Sequence, residues 1–140
     1  DKIYVPKTDH LKPISVKTMP YPGFATDLQQ PLTPLLSKAA GESTIVDTIY
    51  PKRVKHIPEL QKMGMDIEAQ DGRIVVRHTE KLHGADVKAG EIRAGASLMI
   101  AGLMADGETV IHDADHILRG YDRVVWKLNR LNANVRIEEE

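Results

Sequence analysis

The longest uncharged stretch of the chain runs from Ala94 to Ala105, and only Ser97 within it carries a hydrogen-bonding side chain. A helix that is apolar on nearly every face belongs in the interior of a domain rather than on its surface. The pattern therefore predicts a buried helix over residues 93–105. A single arginine, Arg93, stands at its first position.

Residues 120–131 follow a different pattern, in which valine and leucine recur at helical spacing opposite charged residues. This spacing is typical of an amphipathic surface helix, and we expect Trp126 to pack with its apolar stripe. A further helix is predicted over 54–64, while residues 1–25 resemble short strands and turns. The remaining β-rich stretches predict strands at 43–50, 65–70, 73–79, 109–114 and 133–139. Asp71-Gly72 predicts a hairpin turn.

The same order of elements occurs twice along the chain. In each copy an apolar helix is followed by a strand, an arginine, a second helix and further strands. A separation of 66 positions relates Asp27 to Arg93, Gly41 to Gly107 and Arg53 to Arg119. These coincident offsets predict a duplicated β/α unit, with copies at 26–92 and 93–140 after the end of another unit at 1–25. The expected fold is α/β (or α+β), with helices surrounded by sheets.

Composition narrows the class of protein. The 140 residues are enough for one domain with its own core. A net charge of −1 produces no overall electrostatic attraction to nucleic acid or to a membrane surface. Cysteine is absent, which excludes disulfides, thiolate metal sites and a cysteine nucleophile within this chain. The longest apolar run is too short to span a bilayer. We expect a cytoplasmic protein and, since the sequence opens "DKIYV", a piece of something longer.

Three arginines occupy positions where anions commonly bind. Arg93 opens a helix, whose unpaired N–H groups disfavour a cation but together with it would hold a phosphate or carboxylate. Arg53 and Arg119 each follow a strand and precede a helix, a junction where ligands bind in α/β units. The alternative is that all three are ordinary surface arginines, with Arg93 paired to Glu91.

Asp27 has two interpretations. The run Thr26-Asp27-Leu28-Gln29 has the form of a capping box, in which Asp27 is a helix-start carboxylate without chemistry. Asp27 also holds the position that Arg93 holds in the second copy, and a carboxylate facing a cationic pocket is a plausible general base. A metal site in "HDADH" at 112–116 is not favoured, because its side chains alternate between the faces of a strand.

Four long blocks resemble one family throughout: "PGFATDLQ", "DTIYPKRVKHIPELQKMG", "EKLHGADVKAGEIRAGASLMIAGLMADGETVI" and "HILRGYDRVVWKLNRLNANV". They are similar to the C-terminal part of the UDP-N-acetylglucosamine 1-carboxyvinyltransferases, enolpyruvyl transferases that begin peptidoglycan synthesis. The resemblance covers nearly all of the chain, about a third of a typical member. It implies an inside-out α/β barrel, of which this chain holds an incomplete domain. It also implies a cytoplasmic bacterial enzyme serving cell wall biogenesis, and hence cell shape and division.

The resemblance assigns roles to particular residues. It implies that Asp27 removes the proton from the sugar 3-hydroxyl and contacts the sugar nucleotide. Arg93 and Arg119 match arginines that hold phosphoenolpyruvate, and Arg53 matches another arginine near that anion. Ile49 matches a position whose backbone contacts UDP-N-acetylglucosamine. No cofactor or metal is implied, and no nucleic-acid or membrane partner.

The acceptor and the activity of the isolated chain are separate questions. The sister enolpyruvyl transferase that acts on shikimate 3-phosphate is expected to carry something like "RVKETDRL" and "DHRMA" where this chain has "RVKHIPEL" and "EIRAGA". The sugar nucleotide is therefore the favoured acceptor. The family's mobile loop and much of its sugar-nucleotide surface belong to another domain, so the chain alone is expected to be inactive. The alternatives are transfer to shikimate 3-phosphate, an inactive ligand-binding fragment, and a structural domain with surface arginines.

Overall fold

The computed structural model describes residues 1–139 as a mixed α/β structure. The strands are β1 (Ser15–Lys17), β2 (Ser43–Val46), β3 (Ile67–Gln70), β4 (Arg73–Val76), β5 (Asp86–Lys88) and β6 (Val110–His112). The α-helices are α1 (Gln29–Leu36), α2 (His56–Lys62), α3 (Ile92–Met104), α4 (Asp115–Gly120) and α5 (Val124–Arg130). A 3₁₀ helix, Thr26–Leu28, leads directly into α1.

The strands form a four-stranded and a two-stranded sheet, and both are open in the described residues. The larger has the order β1-β2-β4-β3, with β1 parallel to β2 and the other pairs antiparallel. The smaller pairs β5 with β6 in parallel. The predicted hairpin is present between β3 and β4, because Asp71 and Gly72 both adopt positive φ angles of the kind that a tight hairpin turn requires.

Helix α3 is the buried helix that the apolar stretch predicts. Its buried residues are small or apolar, and Leu98 has no exposed surface. α3 packs against α1, α2 and α4. Leu98 joins a core with residues from α2 and the larger sheet, among them Ile45, Leu60 and Ile74. Helices α1 and α3 therefore fix the position of the residues at their N-terminal ends.

The C-terminal region differs from the prediction. Residues 120–131 do not form one helix: α4 ends at Gly120, and α5 starts only after Arg123, which has a left-handed backbone. The strand predicted at 133–139 is absent, as those residues have no regular secondary structure. Trp126 is 53% exposed rather than packed in the core, and the guanidinium carbons of Arg123 and Arg130 lie 5.1 and 5.4 Å from the centre of its ring. The expected partners of this apolar surface do not occur within residues 1–139.

No helix in the described part of the chain is both long enough and apolar enough to cross a membrane.

Candidate active site

Asp27 lies at the centre of a cluster of charged side chains. Its Oδ1 accepts a hydrogen bond of 2.6 Å from Nε of Arg93 and a longer one, 3.4 Å, from Nη1 of Arg53. The Asp27 side chain is 64% exposed, whereas both arginines are largely covered. Both contacts use Oδ1, so Oδ2 forms no hydrogen bond to the residues that the structure describes. The carboxylate therefore faces solvent with one oxygen held by two cations.

The guanidinium of Arg53 is fixed on several sides. Its carbon atom lies 3.6 Å from the centre of the Tyr50 ring, a stacking geometry favourable to arginine. Its Nη1 also lies 3.5 Å from the hydroxyl oxygen of Thr26. Arg53 stands three residues before α2, so it lies in the turn between β2 and that helix. The turn and the Tyr50 ring together hold the cation beside Asp27.

Arg93 lies in the first turn of α3, as the sequence predicts. Its main partner is Asp27, whereas the Glu91 carboxylate is 4.0 Å from its Nη1. Glu91 is itself held by a 2.6 Å hydrogen bond from Nε2 of Gln30. Since Asp27 uses Nε of Arg93, the terminal NH₂ groups remain as the donors that a second anion would need.

Asp47, a carboxylate that the sequence analysis did not single out, lies buried beneath this cluster and accepts hydrogen bonds from the segments around it. Its Oδ1 accepts hydrogen bonds from the Thr18 hydroxyl and from the backbone N–H groups of Ile49 and Tyr50, and its Oδ2 accepts one from Thr26. Burial raises the pKa of Asp47, but these hydrogen bonds outweigh it and leave the pKa below its usual value. The only sequence signal was an aspartate directly after the β-branched run "STIV".

The capping-box interpretation of Thr26 is wrong. The residue at the N-cap of the 3₁₀ helix is Ala25, and no side chain caps that helix. The Thr26 hydroxyl instead donates to Asp47 at 2.8 Å. Thr26 thereby connects the buried carboxylate of Asp47 to the exposed carboxylate of its neighbour Asp27, and it fixes the backbone that carries Asp27.

Ile49 lies in the turn after β2, close to the cluster. Its N–H donates to Asp47 at 2.9 Å, so its orientation depends on the same buried carboxylate. Its side chain is partly exposed. The backbone of this turn is therefore rigidly placed while its outer surface remains accessible.

Arg119 does not join the cluster. It was predicted to open a helix, but it lies in the last turn of α4, where its side chain is 80% exposed and 3.5 Å from Asp115. Its backbone is nevertheless near the start of α3, because a Cβ added at the adjacent Gly120 would overlap Ile92. The structure thus brings together three of the four predicted charged residues and leaves the fourth on the surface nearby.

The side chains of "HDADH" do not converge. His112 contacts Asp86, Asp113 pairs with Lys88, and Asp115 pairs with Arg119. Across residues 1–139 no group of three or more histidine, aspartate or glutamate side chains is arranged to hold a metal ion.

Comparison with known proteins decides the family. Residues 2–128 match the sequence family described as EPSP synthase (3-phosphoshikimate 1-carboxyvinyltransferase). The chain belongs to this family. The crystal structure of the enolpyruvyl transferase NikO from Streptomyces tendae superimposes with a TM-score of 0.85 at 31% identity, over 94% of this chain and 30% of that one.

Curated relatives within the family are more similar in sequence. The chain is 63% identical over 137 residues to UDP-N-acetylglucosamine 1-carboxyvinyltransferase 2 of Lactiplantibacillus plantarum. It is 61% identical over 140 residues to the protein of the same name from Latilactobacillus sakei. The matches cover 98% and 100% of this chain but only 32% and 33% of those relatives. The chain therefore spans about a third of the length of the curated relatives it matches.

Proposed function

We propose that this chain is the C-terminal portion of an enolpyruvyl transferase that acts on UDP-N-acetylglucosamine. The enzyme would transfer the enolpyruvyl group of phosphoenolpyruvate to the sugar 3-hydroxyl and release phosphate, the first committed step of peptidoglycan synthesis. The names of the similar proteins support this acceptor. The single observation that carries the proposal is the exposed Asp27 carboxylate held by Arg93 and Arg53.

Asp27 has the geometry that a general base needs. Its Oδ1 is anchored by two arginines, while Oδ2 accepts no hydrogen bond from the described residues and the side chain is 64% exposed. In the proposed first step Oδ2 takes the proton of the sugar 3-hydroxyl as the hydroxyl oxygen forms a bond to C2 of phosphoenolpyruvate. The C2–C3 π bond breaks as the methylene carbon takes up a proton from solvent, and a tetrahedral intermediate results. A base fixed within hydrogen-bond reach contributes on the order of 10²–10⁴-fold to such a step.

The arginines supply the charge that the second step requires. When the tetrahedral intermediate loses phosphate, its methyl group gives up a proton and the carbon–carbon double bond forms again. The negative charge on the leaving phosphate grows in this step. Arg93, with Arg53 beside it, would stabilise that charge without reorganisation, since both guanidinium groups are already held in place. Arg119 would reach the same anion once its surroundings are complete.

The proposal divides the active site between this chain and the rest of a longer polypeptide. The backbone at Ile49 would contact UDP-N-acetylglucosamine, and a second domain with a mobile loop would close the site. The chain alone is then inactive. On this proposal residues 1–25, 26–92 and 93–140 are the end of one unit and two further units of an inside-out α/β barrel. The enzyme would be cytoplasmic and would serve cell wall growth, cell shape and division.

Arg93→Ala in the longer polypeptide tests the phosphate site. Loss of a charge-assisted pair costs roughly 1.5–3 kcal/mol, or about 10–150-fold in affinity. We expect the KM for phosphoenolpyruvate to rise by about this factor while the affinity for UDP-N-acetylglucosamine changes much less. Arg123→Ala is the matched control, because Arg123 is an exposed arginine outside the cluster, where it pairs with Asp122 and lies over the Trp126 ring.

Equal losses for both substrates would count against a phosphate site at Arg93. An unchanged KM for phosphoenolpyruvate would remove Arg93 from the site altogether and would favour a structural role for its ion pair with Asp27.

A further inference from the structure

The guanidinium of Arg93 has a carboxylate near each of two nitrogens. Oδ1 of Asp27 accepts the 2.6 Å hydrogen bond from Nε, while Oε2 of Glu91 lies 4.0 Å from Nη1. The second distance is too long for a charge-assisted hydrogen bond, which spans about 2.7–2.9 Å. Neither Nη1 nor Nη2 of Arg93 donates a hydrogen bond to any of residues 1–139. Glu91 therefore approaches the guanidinium without occupying the donors that an anionic ligand would use.

The position of Glu91 is fixed by Gln30, a side chain on a different helix. The Gln30 amide donates from Nε2 to Oε1 of Glu91 at 2.6 Å. Gln30 lies in the first turn of α1 and has no exposed surface, and Glu91 is the N-cap residue of α3. The two helices pack against each other, and a fully buried side chain is confined by its close-packed neighbours. One oxygen of Glu91 is thus held by α1 while the other faces Arg93.

Gln30 is an unfavourable choice for stability alone. Its Oε1 is buried and accepts no hydrogen bond within the described part of the chain. A buried polar atom without a partner destabilises a folded protein. The matching position 66 residues later is Ala96 in α3, which is only 5% exposed. A small apolar residue therefore suits this position in the second unit, which indicates that Gln30 acts through its amide donor rather than through packing.

Without that donor, Glu91 would compete with a phosphate for Arg93. Its side chain is 29% exposed, so it is not confined by burial as Gln30 is. Rotation about its side-chain bonds would bring Oε2 from 4.0 Å to hydrogen-bond distance of Nη1. The amide donor also offsets part of the negative charge that an anion meets beside the guanidinium. Both effects of Gln30 favour the binding of a second anion at Arg93.

We propose that Gln30 is a positioning residue for phosphoenolpyruvate: it holds the Glu91 carboxylate back from Arg93 and leaves the terminal NH₂ groups of that arginine open to the phosphate. The inference rests on the part of the proposed function in which Arg93 holds this anion. Gln30 contacts neither substrate and acts only through Glu91. Its removal should therefore weaken the binding of the anion and leave the acceptor sugar nucleotide unaffected.

Gln30→Met in the longer polypeptide tests this role, because methionine retains an unbranched side chain of similar length but has no amide donor. Since an exposed or partly exposed ion pair changes an affinity by up to about fivefold, we expect a rise of about three- to fivefold in two quantities. These are the KM for phosphoenolpyruvate and the Kd for inorganic phosphate, the latter measured by isothermal titration calorimetry. The values of kcat and of the KM for UDP-N-acetylglucosamine should change by less than about twofold, as expected when ground-state binding of one substrate is lost.

Gln29→Met is the matched control. Gln29 is the preceding residue of α1, it is 1% exposed, and its amide forms no hydrogen bond with residues 1–139. Its replacement should leave the KM for phosphoenolpyruvate and the Kd for phosphate unchanged. Gln30→Asn is a second variant with a buried amide that is one methylene too short to reach Glu91, and it should give the same rise as Gln30→Met.

Glu91→Gln identifies the group through which Gln30 acts. A neutral amide forms no ion pair with Arg93, so in the Glu91→Gln background Gln30→Met should change the Kd for phosphate by less than about 1.5-fold. The comparison is made between two variants that share Glu91→Gln, so the effect of that substitution by itself cancels.

Unchanged phosphate affinity in both Gln30 variants would overturn the proposal, as would an unaltered polypeptide that binds no phosphate. An equal loss in Gln29→Met would assign Gln30 a packing role, and a loss that persists in the Glu91→Gln background would show that Gln30 does not act through Glu91. Phosphate binding requires no turnover. A polypeptide that is inactive with both acceptors but shows the expected phosphate affinities would therefore reject the proposed function alone, whereas an active one whose KM ignores Gln30→Met would reject this inference alone.

Discussion

Residues 26–92 and 93–139 share an apolar helix, a following strand and a second helix at matching positions, yet only the strand of the first set lies between two other strands. In the first set β2 is buried between two strands and Leu60 has no exposed surface. In the second set Val110 and Trp126, at matching positions, are exposed. The charged residues follow the same division. Arg53 is held by an aromatic ring and two polar groups, while the equivalent Arg119 lies on the surface beside Asp115.

The contrast shows that a residue of the candidate site is positioned by its surroundings as well as by its place in a repeat. Asp27 and Arg93 occupy matching positions in the two sets, and they form an ion pair because both stand at the start of helices that pack together in the core. Arg119, in contrast, lies in the last turn of a short helix, and its only ion pair among the described residues is with the exposed Asp115.

We expect the largest effects, on kcat at Asp27 and on the free energy of unfolding at Asp47, when each carboxylate is replaced by the amide of asparagine. Asp27→Asn in the longer polypeptide removes the proposed base and should lower kcat by at least about 10²-fold. It should change the free energy of unfolding by less than about 1 kcal/mol, because exposed ion pairs contribute little. Asp47→Asn should instead cost roughly 1–3 kcal/mol of stability, since a buried acceptor of four hydrogen bonds is replaced by a group with one acceptor atom.

Steady-state kinetics and urea unfolding give kcat and the free energy of unfolding for both variants. A normal kcat for Asp27→Asn would exclude Asp27 as the base. A large loss of stability in Asp27→Asn, with none in Asp47→Asn, would reverse the roles that we assign to the two carboxylates.

A difference in stability, with no direct effect on the proposed chemistry, is expected at the matching leucines of the two apolar helices. Leu98 in α3 is fully buried, whereas the equivalent Leu32 in α1 is only partly buried against the same core. Leu98→Ala should therefore destabilise the chain by about 2–5 kcal/mol through lost contacts and a cavity, and Leu32→Ala by distinctly less. Urea unfolding of the two variants compares them, and equal losses would argue that α3 is not the central helix.

The smallest effect at neutral pH concerns His56, for which burial lowers the pKa to about 4. The ordinary histidine pKa is about 6.5, so unfolding takes up a proton between these values. Stability should be unaffected above about pH 6.5 and should fall as the pH drops toward 4, by up to about 1.4 kcal/mol per pH unit. His56→Leu should remove this part of the slope, while His10→Ala, at an exposed histidine, should leave it.

Unfolding free energies at pH 7.5, 6.5, 5.5 and 4.5 measure the His56 slope. Identical slopes for the unaltered chain and His56→Leu would contradict the account of a histidine that is kept neutral by burial.

Much of the fold could be predicted from local pattern. The apolar helix around Leu98 and the Asp71-Gly72 turn each depend on neighbouring residues, and each is present. The matching offsets also placed Asp27 and Arg93 at equivalent helix starts. The ion pair between them was not predicted, since it depends on the packing of α1 against α3.

The incorrect predictions have a common physical cause. The sequence around Thr26 is compatible both with a capping box and with a hydrogen bond from its hydroxyl to Asp47. Which of the two forms depends on how close the segment lies to the end of β2, and the local sequence does not specify that. Residues 133–139 have the pattern of a strand, and Trp126 has that of a core residue. Strands and amphipathic helices are stabilised by what lies beside them. Within residues 1–139 no strand lies beside residues 133–139 and no residue of α5 is buried, and a local sequence pattern cannot indicate this.

The most direct test of the central claim is phosphate release from phosphoenolpyruvate by the longer polypeptide, measured separately with UDP-N-acetylglucosamine and with shikimate 3-phosphate. The account predicts release with the sugar nucleotide, none with shikimate 3-phosphate, and none with either acceptor from the 140-residue chain alone. Release with shikimate 3-phosphate only would assign the other acceptor. If the longer polypeptide released no phosphate with either acceptor, that result would contradict an enolpyruvyl transfer site at Asp27, Arg53 and Arg93.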